Sequence, residues 1–249
     1  MTLEAYLTID DSPSAHTEAL TDFFAGNNIP AILFCRGDRL EQNPGPIVGA
    51  INKGMVIANH SHSHRPAGSL SYEEIIEEIE KTETLIAAAY KKAGVARPGK
   101  YFRFPYLDKG DGDRLEQRFD EIIKSPENLD LSGDEKTRRV QAWLEGEGFT
   151  QPFPGVTHPL YRNNDVAAAA DCLFTYSSCD WMLTSRHKGK WQYKTLGDLK
   201  RKIDDDPFLC AGNGPQITLF HDQPEIEQIV IELIRYMLDK GFRFLPAGP

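Results

Sequence analysis

An α/β barrel folded as one domain over residues 1–249 is the architecture this sequence predicts, on two observations. Short, nearly continuous apolar runs alternate with segments of helical period from almost the first residue, which is the order of a parallel sheet with crossover helices. The chain has 249 residues, a length that suits one large barrel core better than an open sheet or two small domains.

The predicted strands, seven to eight and mostly parallel, are AYLTI (5–9), AILFC (31–35), MVIAN (55–59), YFRF (101–104), FTQPF (149–153), LFTYS (173–177), QITLF (216–220) and FRFL (242–245). Each is short and apolar on both faces, as strands covered by helices should be. The clearest helix runs over 72–92: Ser71 with Glu74 makes a capping box, Ile75, Ile76, Ile79, Leu85, Ile86 and Ala89 form one stripe, and Gly94 stops it. A second spans 225–240, apolar at Ile229, Ile231, Leu233, Ile234, Met237 and Leu238, and ends at Gly241. Helical pattern also fits 15–25, 44–53, 112–124, 133–146 and 196–204. The least regular stretch, 107–165, is expected to be excursions on the barrel.

Composition narrows the function. With 26% charged and 40% apolar residues the chain has the balance of a soluble globular protein. Its 28 basic and 37 acidic residues give a net charge of −9, which disfavours nucleic acid and anionic membranes as partners. Cys35, Cys172, Cys179 and Cys210 form no C-x-x-C pair and are expected to be free thiols. MTLEAYLTID has neither the basic nor the apolar region of an export signal, and no window has the roughly 18 apolar residues of a membrane span. A cytoplasmic location is the resulting expectation for the chain as given, with a secreted protein trimmed of its signal as the alternative. Nothing in the sequence sets an oligomeric state.

In parallel α/β folds, reactive groups sit at the carboxyl ends of the strands. Here those ends carry Asp10 and Asp11, then His60, His62 and His64, then Arg103, Pro105 and Tyr106, then Asp180 and Trp181, then His221 and Asp222. Singly, each has a structural explanation, such as a helix cap, a solvated loop, a buried ion pair or a core histidine. Together they furnish one rim. Asp11, His60 and His64 offer one carboxylate and two imidazoles, which suits one divalent metal, zinc first, with cobalt, manganese or nickel fitting the same donors. Periodicity alone leaves His62 open as a ligand, since an extended chain would put all three histidines on one face. A carboxylate such as Asp10 and an imidazole such as His221 then supply the base and acid for hydrolysis at a carbonyl. The acidic loop LDKGDGD (107–113) lacks the calcium-binding register and is expected to be a polar turn.

These residues resemble the five motifs of the polysaccharide deacetylases, carbohydrate esterase family 4 or the NodB-homology domain, in order and across nearly the whole chain: TIDDSP, HSHSH, RFPY, the pair Asp180-Trp181 and ITLFH. The resemblance implies a distorted (β/α) barrel and a metal-dependent hydrolase that removes an acyl group, N-acetyl first, from an amino sugar, an oligosaccharide or a polysaccharide. It implies Asp10 as base, Asp11, His60 and His64 as metal ligands with His62 a neighbour, Arg103 orienting the base, and Asp180 tethering Arg103. The main-chain N–H of Tyr106 would help hold the oxyanion, Trp181 and Leu219 would wall the acyl pocket, and His221 would be the acid.

Two positions depart from the family pattern. Ser12 stands where glycine is usual, and Ser177 where the fourth motif commonly has an aspartate. Alternatives with the same parts are an O-acetyl esterase of the xylan type and a small-molecule amidohydrolase. A non-catalytic carbohydrate-binding relative would be expected to lose Asp10 or His221 first, and both are present.

Overall fold

The computed structural model describes residues 2–113, 133–162 and 164–248. Its centre is β1 (Leu3–Ser12), flanked by β2 (Ala31–Cys35) and β5 (Gln216–His221), with β3 (Val56–Asn59) beyond β2 and β4 (Tyr176–Ser177) beyond β5. β6 (Phe242–Phe244) joins the start of β1, pairing Leu3–Ala5. All of these pairings are parallel.

Two further predicted strands enter the sheet through single parallel bridges: Phe102 opposite Asn59, and Phe149 opposite Lys100. The Cys172 N–H donates to the Phe102 carbonyl at 2.7 Å and the Thr175 N–H to Ile217 at 2.9 Å. The segment leading into β4 therefore bridges from residue 102 to β5, so the sheet comes round by isolated hydrogen bonds rather than by a continuous ladder. That is the distortion of this barrel.

The two faces of β1 sort the core. Ala5, Leu7 and Ile9 pack outward with Phe24, Ile47, Ile86, Leu233 and Met237 of the surrounding helices. Tyr6 packs inward with Phe34, Ile217 and Leu219, and Thr8 and Asp10 follow Tyr6 by the two-residue period of a strand. The inner layer is thus apolar at its amino end and polar where the strands finish.

Helices cover the outside. α1 (Thr17–Gly26), α2 (Gly37–Gln42) and α3 (Gly45–Asn52) follow β1 and β2. α4 (Tyr72–Ala93) starts with the expected capping box, the Glu74 N–H on Ser71 Oγ at 3.1 Å and the Ser71 N–H on Glu74 Oε2 at 2.8 Å, a device stabilising by about 1 kcal/mol. It buries Ile75, Ile79, Ile86 and Ala89, while Ile76 and Leu85 flank the stripe half-buried. Gly94, at φ 69°, ends it in the left-handed conformation that glycine takes without a steric penalty. α5 (Glu135–Gly146), α6 (Asn164–Ala168), α7 (Leu196–Asp205) and α8 (Glu227–Asp239) complete the shell among the described residues. Most of the helix expected over 112–124 lies outside those residues. The short α2 was not foreseen, because six residues carry too little periodicity. Among the described residues no helix is long and apolar enough to cross a membrane.

Candidate active site

Register places the first pair. Asp10 lies directly between His221 on β5 and Phe34 on β2, so the last inner-facing residues of β1 and β5 are a carboxylate and an imidazole side by side. Strict alternation would send Asp11 to the opposite face. Instead the ladder with β2 slips between Asp10 and Ser12, and Asp11 takes φ 69°. Such a bulge re-aims a side chain, and here it lets consecutive aspartates serve one cavity. Ser12, at the usual glycine position, keeps its hydroxyl on Asp222 Oδ2 at 3.0 Å. Asp222 also accepts from the hydroxyls of Ser14 and Thr17, fastening the turn that follows the acid pair.

The histidine loop leaves β3 at Asn59. His60 Nδ1 lies 2.8 Å from the Arg103 carbonyl oxygen, which can only accept, so Nδ1 carries the proton and the Nε2 lone pair is available for a ligand. Ser61 and His64 have positive φ, 64° and 58°, and the loop between them is held by Glu78 of α4. Glu78 Oε2 accepts from the Ser61 hydroxyl (2.9 Å) and the N–H groups of His62 (3.0 Å) and Ser63 (2.6 Å), and Oε1 from the Ser63 hydroxyl (2.8 Å). His62 turns outward to Lys81, with Nε2 2.8 Å from Nζ.

Among the described residues, Asp11, His60 and His64 form one group with metal-ligand donors, its ligand atoms all within 4.8 Å of one another. His64 Nε2 is 3.2 Å from Asp11 Oδ1. That oxygen is buried and has no hydrogen-bond partner, a costly condition for a carboxylate unless something else satisfies it. Burial lowers the pKa of His60 and takes that of His64 down to about 4, so both imidazoles are neutral at physiological pH. Burial alone would raise Asp11, but in the acid range where it titrates the imidazoles are cationic, and His64, His60, His221 and Arg39 together hold it well below the ordinary carboxylate range. One ionised oxygen and two neutral nitrogens, pre-assembled around an unsatisfied position, fit a divalent cation.

Arg103 is fully buried. Its Nη1 donates to Asp10 Oδ1 at 2.7 Å and to Thr8 Oγ1 at 2.9 Å, its Nε to the Cys172 carbonyl at 3.0 Å, and its guanidinium lies 4.1 Å from the Phe34 ring centre. Asp180 does not tether it, contrary to the sequence expectation. Asp180 Oδ1 is 2.7 Å from His221 Nδ1, and Oδ2 accepts the His221 main-chain N–H at 2.8 Å. The reason lies in the pairing: Asp180 follows β4, which pairs with β5 and brings it to His221, whereas the Arg103 guanidinium is taken up by Thr8 and Asp10 of β1 and the Cys172 carbonyl. Arginine and aspartate are therefore two separate supports, one behind Asp10 and one behind His221.

Asp10, Asp11, His60, His64 and His221 line a cavity of about 470 Å³, joined by Tyr106, Trp181 and Leu219, a size suited to a small ligand or one or two sugar units; Arg103 and Asp180 are buried behind that lining. Tyr106 and Leu107 have φ 58° and 53°, strain of the kind that gathers at functional turns, and the Tyr106 ring packs edge-on against His64 at 4.7 Å. Trp181 meets His187 and Trp191 at 5.1 Å each. Arg36, Arg39 and Gln223 also line the cavity and were not singled out from sequence. Gln223 lay two residues past the last strand-end histidine, the one cue that pointed to it.

Comparison with known proteins agrees with the resemblance. The family described as polysaccharide deacetylase matches residues 3–118. A chitooligosaccharide deacetylase of Rhizobium leguminosarum is 30% identical over 97 residues, covering 39% of this chain and 45% of its own length. A peptidoglycan-N-acetylglucosamine deacetylase of Bacillus cereus is 33% identical over 134 residues, covering 52% of this chain and 47% of its own length. The chain thus spans about half the length of the curated relatives it matches. A family 4 carbohydrate esterase from Streptomyces lividans superimposes with TM-score 0.60 at 22% identity, over 96% of this chain and 90% of that one. The catalytic domain of a peptidoglycan N-acetylglucosamine deacetylase from Eubacterium rectale gives 0.64 at 17% identity, over 99% and 89%. The parallel α/β fold is shared with these structures along nearly the full chain, and the resemblance to the polysaccharide deacetylases is borne out.

Proposed function

We propose that this chain is a metal-dependent hydrolase that removes N-acetyl groups from amino sugars in oligo- or polysaccharides. The observation that carries the reading is the convergence in one cavity of the Asp11-His60-His64 donor set with two ionisable groups that each have a private support, Asp10 on Arg103 and His221 on Asp180. Bound at the donor set, a divalent metal, zinc by preference for one oxygen and two nitrogens, would polarise the acyl carbonyl and activate water.

The chain's own residues do the rest. Asp10 takes the proton of the attacking water, with Arg103 holding the carboxylate in place through Oδ1. The Tyr106 main-chain N–H donates to the carbonyl oxygen as charge develops on it. The Asp180 carboxylate fixes the proton of His221 on Nδ1, so proton exchange with the leaving nitrogen falls to Nε2, and the ring gains a counter-charge when cationic. Leu219 and Trp181 enclose the acyl methyl and exclude water. Relatives whose names specify N-acetyl sugars support the N-acyl substrate. O-acetyl removal uses the same parts, and a bifunctional xylanase/xylan deacetylase of Cellvibrio japonicus, 30% identical over 101 residues, favours testing it.

The test is acetate release from N-acetylglucosamine oligomers and from acetyl-xylan, by protein stripped of metal and reloaded with zinc, cobalt, manganese or nickel. Release restored by metal and greater from the N-acetyl substrates is expected. No release from either, or equal release by Asp10→Asn, would sink the reading. Asp180→Asn should lower the rate about 10²-fold or more and move the basic limb of the kcat/KM profile to lower pH, because the imidazolium loses its counter-charge. The acidic limb should stay in place, because Asp180 bonds to His221 and not to Asp10.

A further inference from the structure

We infer that Gln223 is a positioning residue that presets Asp11 for metal, holding one carboxylate oxygen so that the other faces the two imidazoles. This rests on the reading of Asp11, His60 and His64 as the ligands. Gln223 Nε2 donates to Asp11 Oδ2 at 2.6 Å, while Oδ1 is the buried oxygen without a partner, 3.2 Å from His64 Nε2.

Both ends of that hydrogen bond are fastened. The Asp222 N–H donates to the Asp10 carbonyl at 2.8 Å, continuing the ladder in which Asp10 faces His221 and delivering residue 223 alongside Asp11. Arg39 Nη1 donates to the Asp11 carbonyl and lies 3.4 Å from that of Asp222, clasping the two segments. Asp11 sits in a bulge with a left-handed backbone, so no strand alternation aims its side chain, and the amide supplies that aim. An amide is suited to this: it satisfies Oδ2 without adding charge or offering a competing cation. Partners of this kind fix a ligand's orientation, and their loss weakens metal binding roughly 10- to 100-fold.

The experiment compares the parent with Gln223→Leu and Gln223→Met, both lacking the donor and the second keeping the length. Zinc affinity is measured by competition with a chelator, the cobalt-loaded protein by its visible absorption, and the metal-free proteins by thermal unfolding. We expect zinc Kd to rise roughly 10- to 100-fold and the cobalt bands to change in both variants, with little change in the unfolding of the metal-free form. Either variant that folds with parent-like Kd and an unchanged cobalt spectrum overturns the role of Gln223 alone. A parent that binds no zinc or cobalt overturns the ligand assignment, and this inference with it.

Discussion

The two loops that carry the proposed metal donors are each fastened by a carboxylate from elsewhere in the chain, and the two fastenings differ in electrostatic character. Glu78 holds the histidine loop from α4, with a side chain 11% exposed that also meets the Arg65 guanidinium at 3.2 Å. Burial would raise its pKa, but donation from Ser63, Ser61 and Arg65 brings it below the ordinary glutamate value. Asp222 holds the acid-pair loop from the end of β5 and is 1% exposed. Its neighbours are mostly hydroxyls, and burial raises its pKa despite them. A clamp with water and a cation within reach keeps its charge easily, whereas one that is sealed in pays desolvation for the same charge. The acid-pair loop is therefore the more tightly packed of the two, and the histidine loop the more solvated.

The strongest blow to this contrast comes at Arg103, the counter-charge inside the acid-pair side. Arg103→Met leaves Asp10 buried without its partner and should cost about 3–5 kcal/mol, read by urea unfolding. A loss below about 1 kcal/mol would show that water reaches Asp10 and that this side is not sealed.

Glu78→Leu should be milder. It strips partners from two N–H groups and two hydroxyls, but in a loop less completely buried than the acid pair, so about 1–3 kcal/mol is expected, together with weaker zinc binding by chelator competition. A loss equal to that of Arg103→Met would erase the distinction between the loops.

The smallest effects are the sharpest, because they have opposite sign in pH. Glu78, with its folded pKa lowered, stabilises the fold above its unfolded value near 4.5, and that contribution fades as pH falls through the folded pKa. Asp222, with its folded pKa raised, favours the fold when protonated, and that advantage is lost as pH rises through the folded pKa. Between pH 7 and 3 the deficit of Glu78→Gln against the parent should therefore shrink, while Asp222→Asn should lose ground against the parent. Parallel trends in the two unfolding series would show that both clamps sit in one environment.

Several elements were legible without coordinates because their signals are local. The Ser71–Glu74 box, the Ile75-Ile79-Ile86 stripe and Gly94 determine α4 by themselves, and the apolar runs at 31–35 and 216–220 coincide with β2 and, to within one residue, with β5. Strand ends are equally local, which is why Asp10, Asp11, His60, His64, Tyr106, Trp181 and His221 could be gathered to one rim before the cavity they line was seen.

What the sequence could not decide is which partner each polar group takes, since that depends on register between segments far apart in the chain. Asp180 is separated from Arg103 by 77 residues and from His221 by 41, as their numbers show. Only the pairing of β4 with β5 commits it to the histidine. The slip that turns Asp11 onto the side of Asp10, the outward turn of His62 toward Lys81, and the reach of Gln223 to Asp11 were likewise set in three dimensions. Residue type and period fix which side chains arrive at the carboxyl end of the sheet. A hydrogen bond loses most of its strength with an ångström or so of displacement, so its choice of partner waits for the packed register that supplies that accuracy.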